Sequence, residues 1–150
     1  MAHIGFARPD LDDEEVAAAE SALRTGWVTS GPRFAECEQA FASYVGSSNT
    51  LAVISCTAAM HLALAALGIG PGDEVITTLL TFCGTVNVIP QTGATAVLAD
   101  IGDNPNLDPE RTEAMITPRT RIILPVHYGG LPGRMGPIWA LAPKHGFEVV

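Results

Sequence analysis

Apolar positions change their spacing near residue 50. Before it, Leu11, Val16, Ala19 and Leu23 recur at the three- to four-residue interval of a helix face, which predicts a helix running to about Thr25. Asp12 stands three residues ahead of Glu15, the spacing of a capping box, in which each carboxylate takes a backbone N–H of the first turn. Phe34, Cys37, Phe41, Tyr44 and Val45 predict a second helix that stops at Gly46. Between the two lies Gly26-Trp27-Val28-Thr29-Ser30-Gly31-Pro32, a turn by composition. Its tryptophan must either pack against the body or project into a site or a partner. Residues 1–10 read as an extended lead-in.

Beyond residue 50, short apolar runs alternate with helical segments. Strands are expected at 51–54, 74–78, 95–99 and 121–126, with another beginning at Phe147. Helices are expected over 58–67, from Phe82 towards Gly93, after Asp108-Pro109-Glu110 and over 135–145. Pro90 and Pro143 fall inside two of these and are expected to kink or shorten them. Strands this apolar, separated by helices, predict an α/β fold: a mostly parallel sheet with helices on both faces. Ligands of such sheets sit beyond the C-terminal ends of the strands. The chain stops inside an apolar β-run, whereas termini usually lie at the surface. We therefore expect 1–150 to be the N-terminal part of a larger domain. Within it, 1–48 would be a helical segment and 49–150 an α/β core cut in a strand.

Composition narrows the partners. With 47% apolar residues and no apolar run long enough to cross a bilayer, no membrane partner is expected. A net charge of -8 argues against a nucleic-acid surface, without excluding a small anion held at a helix end. Cys37, Cys56 and Cys83 form no C-x-x-C pair, and no basic-then-hydrophobic leader opens the chain. Both features fit a reduced, cytoplasmic protein, and no metal site is expected.

The strongest chemical signal is Ser55-Cys56-Thr57-Ala58-Ala59-Met60-His61, where a β-like run turns through small hydroxyl residues into an apolar helix. First-turn N–H groups lack helical partners and the peptide dipoles favour negative charge there, so Ser55, Thr57 and Ala58 could cradle an anion. A plain N-cap role for Ser55 or Thr57 explains the same residues. The other strand ends offer Phe82 between Thr81 and Thr85, then His127 and Tyr128 beside two glycines. Together they suit a phosphorylated flat heterocycle. Taken singly, Phe82 reads better as core packing and His127 as a satisfied structural histidine.

These blocks, with Ala66-Leu67-Gly68-Ile69-Gly70-Pro71-Gly72-Asp73-Glu74-Val75-Ile76, Leu80-Thr81-Phe82 and Pro125-Val126-His127-Tyr128-Gly129-Gly130, resemble the DegT/StrS family of sugar aminotransferases in order and spacing. The resemblance implies a partial large domain of a fold-type I enzyme using pyridoxal 5′-phosphate (PLP), with the C-terminal small domain absent. It further implies a homodimer that transfers an amino group, usually from glutamate, to a keto group of a nucleotide-linked sugar. Ser55, Thr57 and Ala58 would hold the cofactor phosphate and Phe82 would stack on the pyridine ring. Trp27, Ser30, Gly31 and Pro32 would help frame the sugar site. The family's catalytic lysine, and the acidic residue beside the pyridine nitrogen, match no position here, so no catalytic residue is assigned. The single lysine, Lys144, reads as a helix C-terminal cation. Two other readings stay open: a sugar dehydratase of the same family, with histidine for that lysine, and a non-catalytic remnant that kept the fold.

Overall fold

Four strands, β1 (Glu74–Thr78), β2 (Thr95–Ala99), β3 (Thr120–Ile123) and β4 (Glu148–Val149), form one parallel sheet in the order β2-β1-β3-β4. The structure, a computed structural model, describes residues 8–150, so residues 1–7 of the expected lead-in lie outside the described residues. The described chain falls into two compact units divided between Ala52 and Val53.

In the second unit the strand period of two sorts side chains onto two apolar clusters. Val75 and Ile122 face one cluster, completed by Leu64, Val88 and Ile89 from α3 (Cys56–Ala66) and α4 (Cys83–Gln91). Ile76 and Ile123 face the other, with Leu107, Phe147, and Ile138 and Leu141 from α6 (Met135–His145). The short helix α5 (Pro109–Ala114) starts where expected, with the Asp108 carboxylate accepting from the amides of Glu110 and Arg111. Helices therefore cover both faces of the sheet, as the apolar runs predicted.

Three expectations are corrected. Residues 51–54 form no strand: Leu51 and Ile54 are 74% and 99% exposed, and no described strand pairs with them. A β-like run without a neighbouring ladder has no partner for its backbone groups. Strand β3 ends at Ile123, short of the expected 126. Leu124 still donates to Ile76 O at 2.8 Å, but Pro125 has no N–H with which to extend the ladder. Pro90 and Pro143, expected to kink or shorten their helices, each sit in the final turn, α4 ending at Gln91 and α6 at His145. Helix α3 also begins at Cys56, two residues before the sequence pattern suggests, because Ser55 caps it.

At the N-terminal edge of the sheet, the buried Glu74 carboxylate accepts from Thr117 Oγ1 (2.5 Å) and from Arg119 Nε and Nη2 (2.9 and 2.5 Å). The Thr117 hydroxyl above all, then the Arg119 guanidinium, hold its carboxyl below the ordinary glutamate range against the opposing effect of burial. This bolt lies at the end of β1 away from the ligand side.

The first unit contains α1 (Asp13–Arg24) and α2 (Pro32–Val45). Asp12 and Glu15 form the expected capping box, and Gly46, at φ 71°, closes α2 in the left-handed conformation that glycine adopts without steric cost. Glu38 Oε1 accepts from the amide of Ala52 at 2.9 Å. No residue from 8 to 52 is buried.

Candidate functional site

Because β1 and β3 are adjacent and parallel, their C-terminal exits leave the sheet on the same side. Thr77 Oγ1 donates to Leu124 O at 2.8 Å and ties those exits together inside the core.

Helix α3 presents its N-terminus with Ser55 as cap. Ser55 Oγ accepts from Ala58 N at 3.1 Å and Ser55 O from Ala59 N at 3.0 Å. The amides of Cys56 and Thr57 precede the first possible helical bond and are left for another acceptor. Helix α4 begins after a four-residue link from β1, with Phe82 at its N-cap position and 73% exposed. Phe82 is thus not core packing.

Gly84 brings the two helix starts together. A Cβ at Gly84 would stand 2.8 Å from Thr57 Oγ1 and 3.0 Å from Phe82 Cδ1 and Cε1. The Thr57 hydroxyl and the Phe82 ring therefore both lie close over the Gly84 Cα, where an added side chain would force one of them to move. Thr81 Oγ1 donates to Thr85 Oγ1 at 2.8 Å and Thr85 N to Phe82 O at 3.0 Å, which fixes the turn carrying the ring. The result is a hydroxyl, two unpaired amides and an exposed aromatic face beside the positive end of a helix. Such a surface can take a phosphate and a flat ring together.

The β3 exit is also built by local bonds. His127 precedes a 3-10 turn at Tyr128–Gly130, and its Nδ1 accepts from Gly133 N at 3.3 Å. Lys144 lies elsewhere: its Nζ is paired with the Glu113 carboxylate, and His145 Nε2 stands 3.5 Å from the same oxygen. Lys144 chiefly, then His145, hold the Glu113 carboxyl below its ordinary range.

In the first unit, Trp27, Ser30, Gly31 and Pro32 form one compact loop. Trp27 Nε1 donates to Ser30 O at 2.8 Å, and a Cβ at Gly31 would lie 2.3 Å from that indole nitrogen. A cavity of about 160 Å³ opens here, lined by Trp27, Gly31 and Pro32 with Thr25, Thr29, Arg33 and Glu36.

Residues 9–150 match the DegT/DnrJ/EryC1/StrS aminotransferase family. The chain belongs to this family. It is 48% identical over 146 residues to the spore coat polysaccharide biosynthesis protein SpsC of Bacillus subtilis (strain 168), an alignment covering 97% of this chain and 38% of SpsC. Among solved structures, DesV of S. venezuelae superposes with a TM-score of 0.86 at 41% identity, over 91% of this chain and 37% of DesV. Spr1654 from Streptococcus pneumoniae, in its PLP form, superposes at 0.90 with 34% identity, over 98% and 38%. The chain thus spans little more than a third of the length of these relatives. Family membership and fold class stand as the sequence motifs implied. Among the described residues no helix is long and apolar enough to cross a membrane, and no three metal-ligating side chains gather.

Two residues of this region escaped the sequence reading. Nothing in the sequence singles out Gly84, and only its neighbours in space show why it is small. Asn106 sits in Asn104-Pro105-Asn106-Leu107-Asp108, which reads as turn composition, yet its side chain is buried and bonded across the sheet exits.

Proposed function

We propose that this chain supplies the phosphate- and ring-holding part of a PLP-dependent aminotransferase that transfers an amino group, with glutamate as the donor, to a keto group of a nucleotide-linked sugar. The observation that carries this reading is the approach of Thr57 Oγ1 and the Phe82 ring to one backbone position, Gly84, which brings a hydroxyl and an aromatic face to the same place. Family membership and the PLP form of Spr1654 support it. Ser55 and Thr57 offer hydroxyls, and Cys56 and Thr57 backbone amides, to the phosphate, Ala58 lets it come close to the backbone, and Phe82 gives the ring an apolar face. PLP supplies an electron sink when bound. Trp27, Ser30, Gly31 and Pro32 frame the sugar site, in a homodimer working in the cytoplasm. Lys144, held by Glu113 at the end of α6, takes no part in the chemistry.

Pyridoxine 5′-phosphate is the suitable probe, since it lacks the aldehyde that would react with Lys144. Titrated into the chain and followed by amide chemical shifts, it should move Cys56, Thr57 and Ala58. A hydrogen bond to a charged group contributes about 1.5–3 kcal/mol, so Thr57→Val should weaken binding roughly 10- to 100-fold. Loss of stacking in Phe82→Ala should weaken it about 3- to 10-fold. Unchanged affinity in both variants would remove the cofactor from this surface.

A further inference from the structure

Asn106 is 1% exposed although it stands in the loop leaving β2. A buried carboxamide must satisfy donors and an acceptor, and this one does so across a long sequence distance. Its Nδ2 donates to Leu131 O at 3.0 Å and its Oδ1 accepts from Tyr128 N at 2.9 Å. Those two groups bracket the 3-10 turn, which contains Gly129 at φ 62° and Gly130 at φ 80°. Two left-handed glycines in succession make a segment with little stiffness of its own.

The anchor itself is held. Asn106 N donates to Asn104 Oδ1 at 3.1 Å, its carbonyl accepts from Gly102 N at 3.3 Å, and Ile101 bridges to Leu107. A Cβ at Gly133 would lie 3.6 Å from Asn106 Cβ and 3.8 Å from His127 Nδ1. Asn106 therefore borders the residue whose N–H binds the imidazole. A nitrogen that accepts a hydrogen bond carries no proton, so neutral His127 has its proton on Nε2.

We propose that Asn106 is a positioning residue of the ligand side of the sheet. By pinning Tyr128 and Leu131 it sets the 127–133 loop so that His127 presents a fixed Nε2–H donor, suited to an oxygen acceptor on a bound ligand. Its relevance to ligand rests on the cofactor reading above; the arrangement itself does not.

The test is long-range ¹H–¹⁵N spectroscopy of the histidine rings in the 150-residue chain at about pH 8, above the ordinary imidazole range. Loss of one ring pattern in His127→Gln assigns the signals. In the parent chain His127 should show one protonated and one unprotonated ring nitrogen. Asn106→Ala should average the two towards each other, and Asn106→Asp, which keeps an acceptor for Tyr128 N, should restore part of the separation. An unchanged His127 pattern in Asn106→Ala would overturn the proposal. So would loss of the dispersed β1 and β3 amides in both variants, since Asn106 would then hold up the fold in general. Pyridoxine 5′-phosphate added to the parent chain tests the cofactor reading separately. Its failure to move the Thr57 and Ala58 amides would sink that reading and leave the ring pattern to judge Asn106.

Discussion

Residues 8–52 and 53–150 hold their helices by opposite means. In the first unit α1 has a complete capping box, and α2 has Pro32 in its first turn and a left-handed Gly46 at its end, yet neither helix buries a residue. In the second, α6 has no side-chain cap and contains Pro143, yet Ile138 and Leu141 are packed beneath it. Helices of this length are marginal in water on local chemistry alone. The difference teaches that a periodic apolar face marks a helix without saying what covers it. Phe41, Tyr44 and Val45 lie on the predicted face of α2 and are 55%, 89% and 51% exposed.

Core truncation should separate the units most. Ile123 on β3 is fully buried, so Ile123→Ala should cost about 2–5 kcal/mol through lost transfer energy and a cavity. Phe41→Ala, at an exposed site, should stay within about 0.5 kcal/mol. Urea denaturation of both variants provides the measurement. Equal losses would show that residues 8–52 possess a tertiary core of their own in solution.

Next in size is the Glu74 bolt, which has no counterpart among residues 8–52. Its folded pKa lies below the unfolded one, so the stability it adds is present above the ordinary glutamate range. That contribution is lost as pH falls through the folded pKa. Arg119→Ala should cost about 1–3 kcal/mol near neutrality by leaving the buried carboxylate short of partners. Glu74→Gln should flatten the acid limb of the stability curve. An acid limb unchanged in Glu74→Gln would mean that Glu74 ionises alike in the folded and unfolded chain.

Much of this was legible in the sequence wherever one physical cause decided the outcome. The caps at Asp12, Ser55 and Asp108, the glycine stops and the two-sided sheet follow from local hydrogen bonding and period. Phe82 was legible as a candidate because it follows a strand, but its exposure was not. The strand expected at 51–54 failed because a strand exists only with a neighbour, and apolar alternation cannot name one. Asn106 stayed hidden for a related reason: its partners, Tyr128 and Leu131, lie 22 and 25 residues away. The roles proposed for Ser55, Thr57, Ala58 and Phe82 rest on motif resemblance, and the geometry adds a reason for Gly84 between them.

One chemistry placed in both units gives a sharper reading. Asp12→Ala and Asp108→Ala each remove a cap of about 1 kcal/mol. Helix α5 is anchored by buried Pro109 and Thr112, so the loss at Asp108 should appear in the cooperative melt. The loss at Asp12 should appear as reduced helicity of α1, with the sheet's midpoint unmoved. A shift of that midpoint in Asp12→Ala would mean that α1 folds cooperatively with the sheet.

The smallest effect belongs to surface ion pairs, whatever their unit. Glu20 and Arg24 are joined by two guanidinium contacts one helical turn apart in α1, with side chains 57% and 76% exposed. Asp100 and Arg111 meet at 2.6 Å beside the exit of β2, at 65% and 56% exposed. Close contact does not make either strong, because water screens both charges and each long side chain loses rotamer freedom on pairing. Double-mutant cycles should give about 0.3–0.5 kcal/mol for Glu20–Arg24 and less than about 1 kcal/mol for Asp100–Arg111. Both couplings should fade in high salt. A salt-resistant coupling at Asp100–Arg111 alone would mean that the β2 exit, next to the loop anchored by Asn106, is drier than its surface exposure implies. The division between the units would then extend from their apolar burial to their charges.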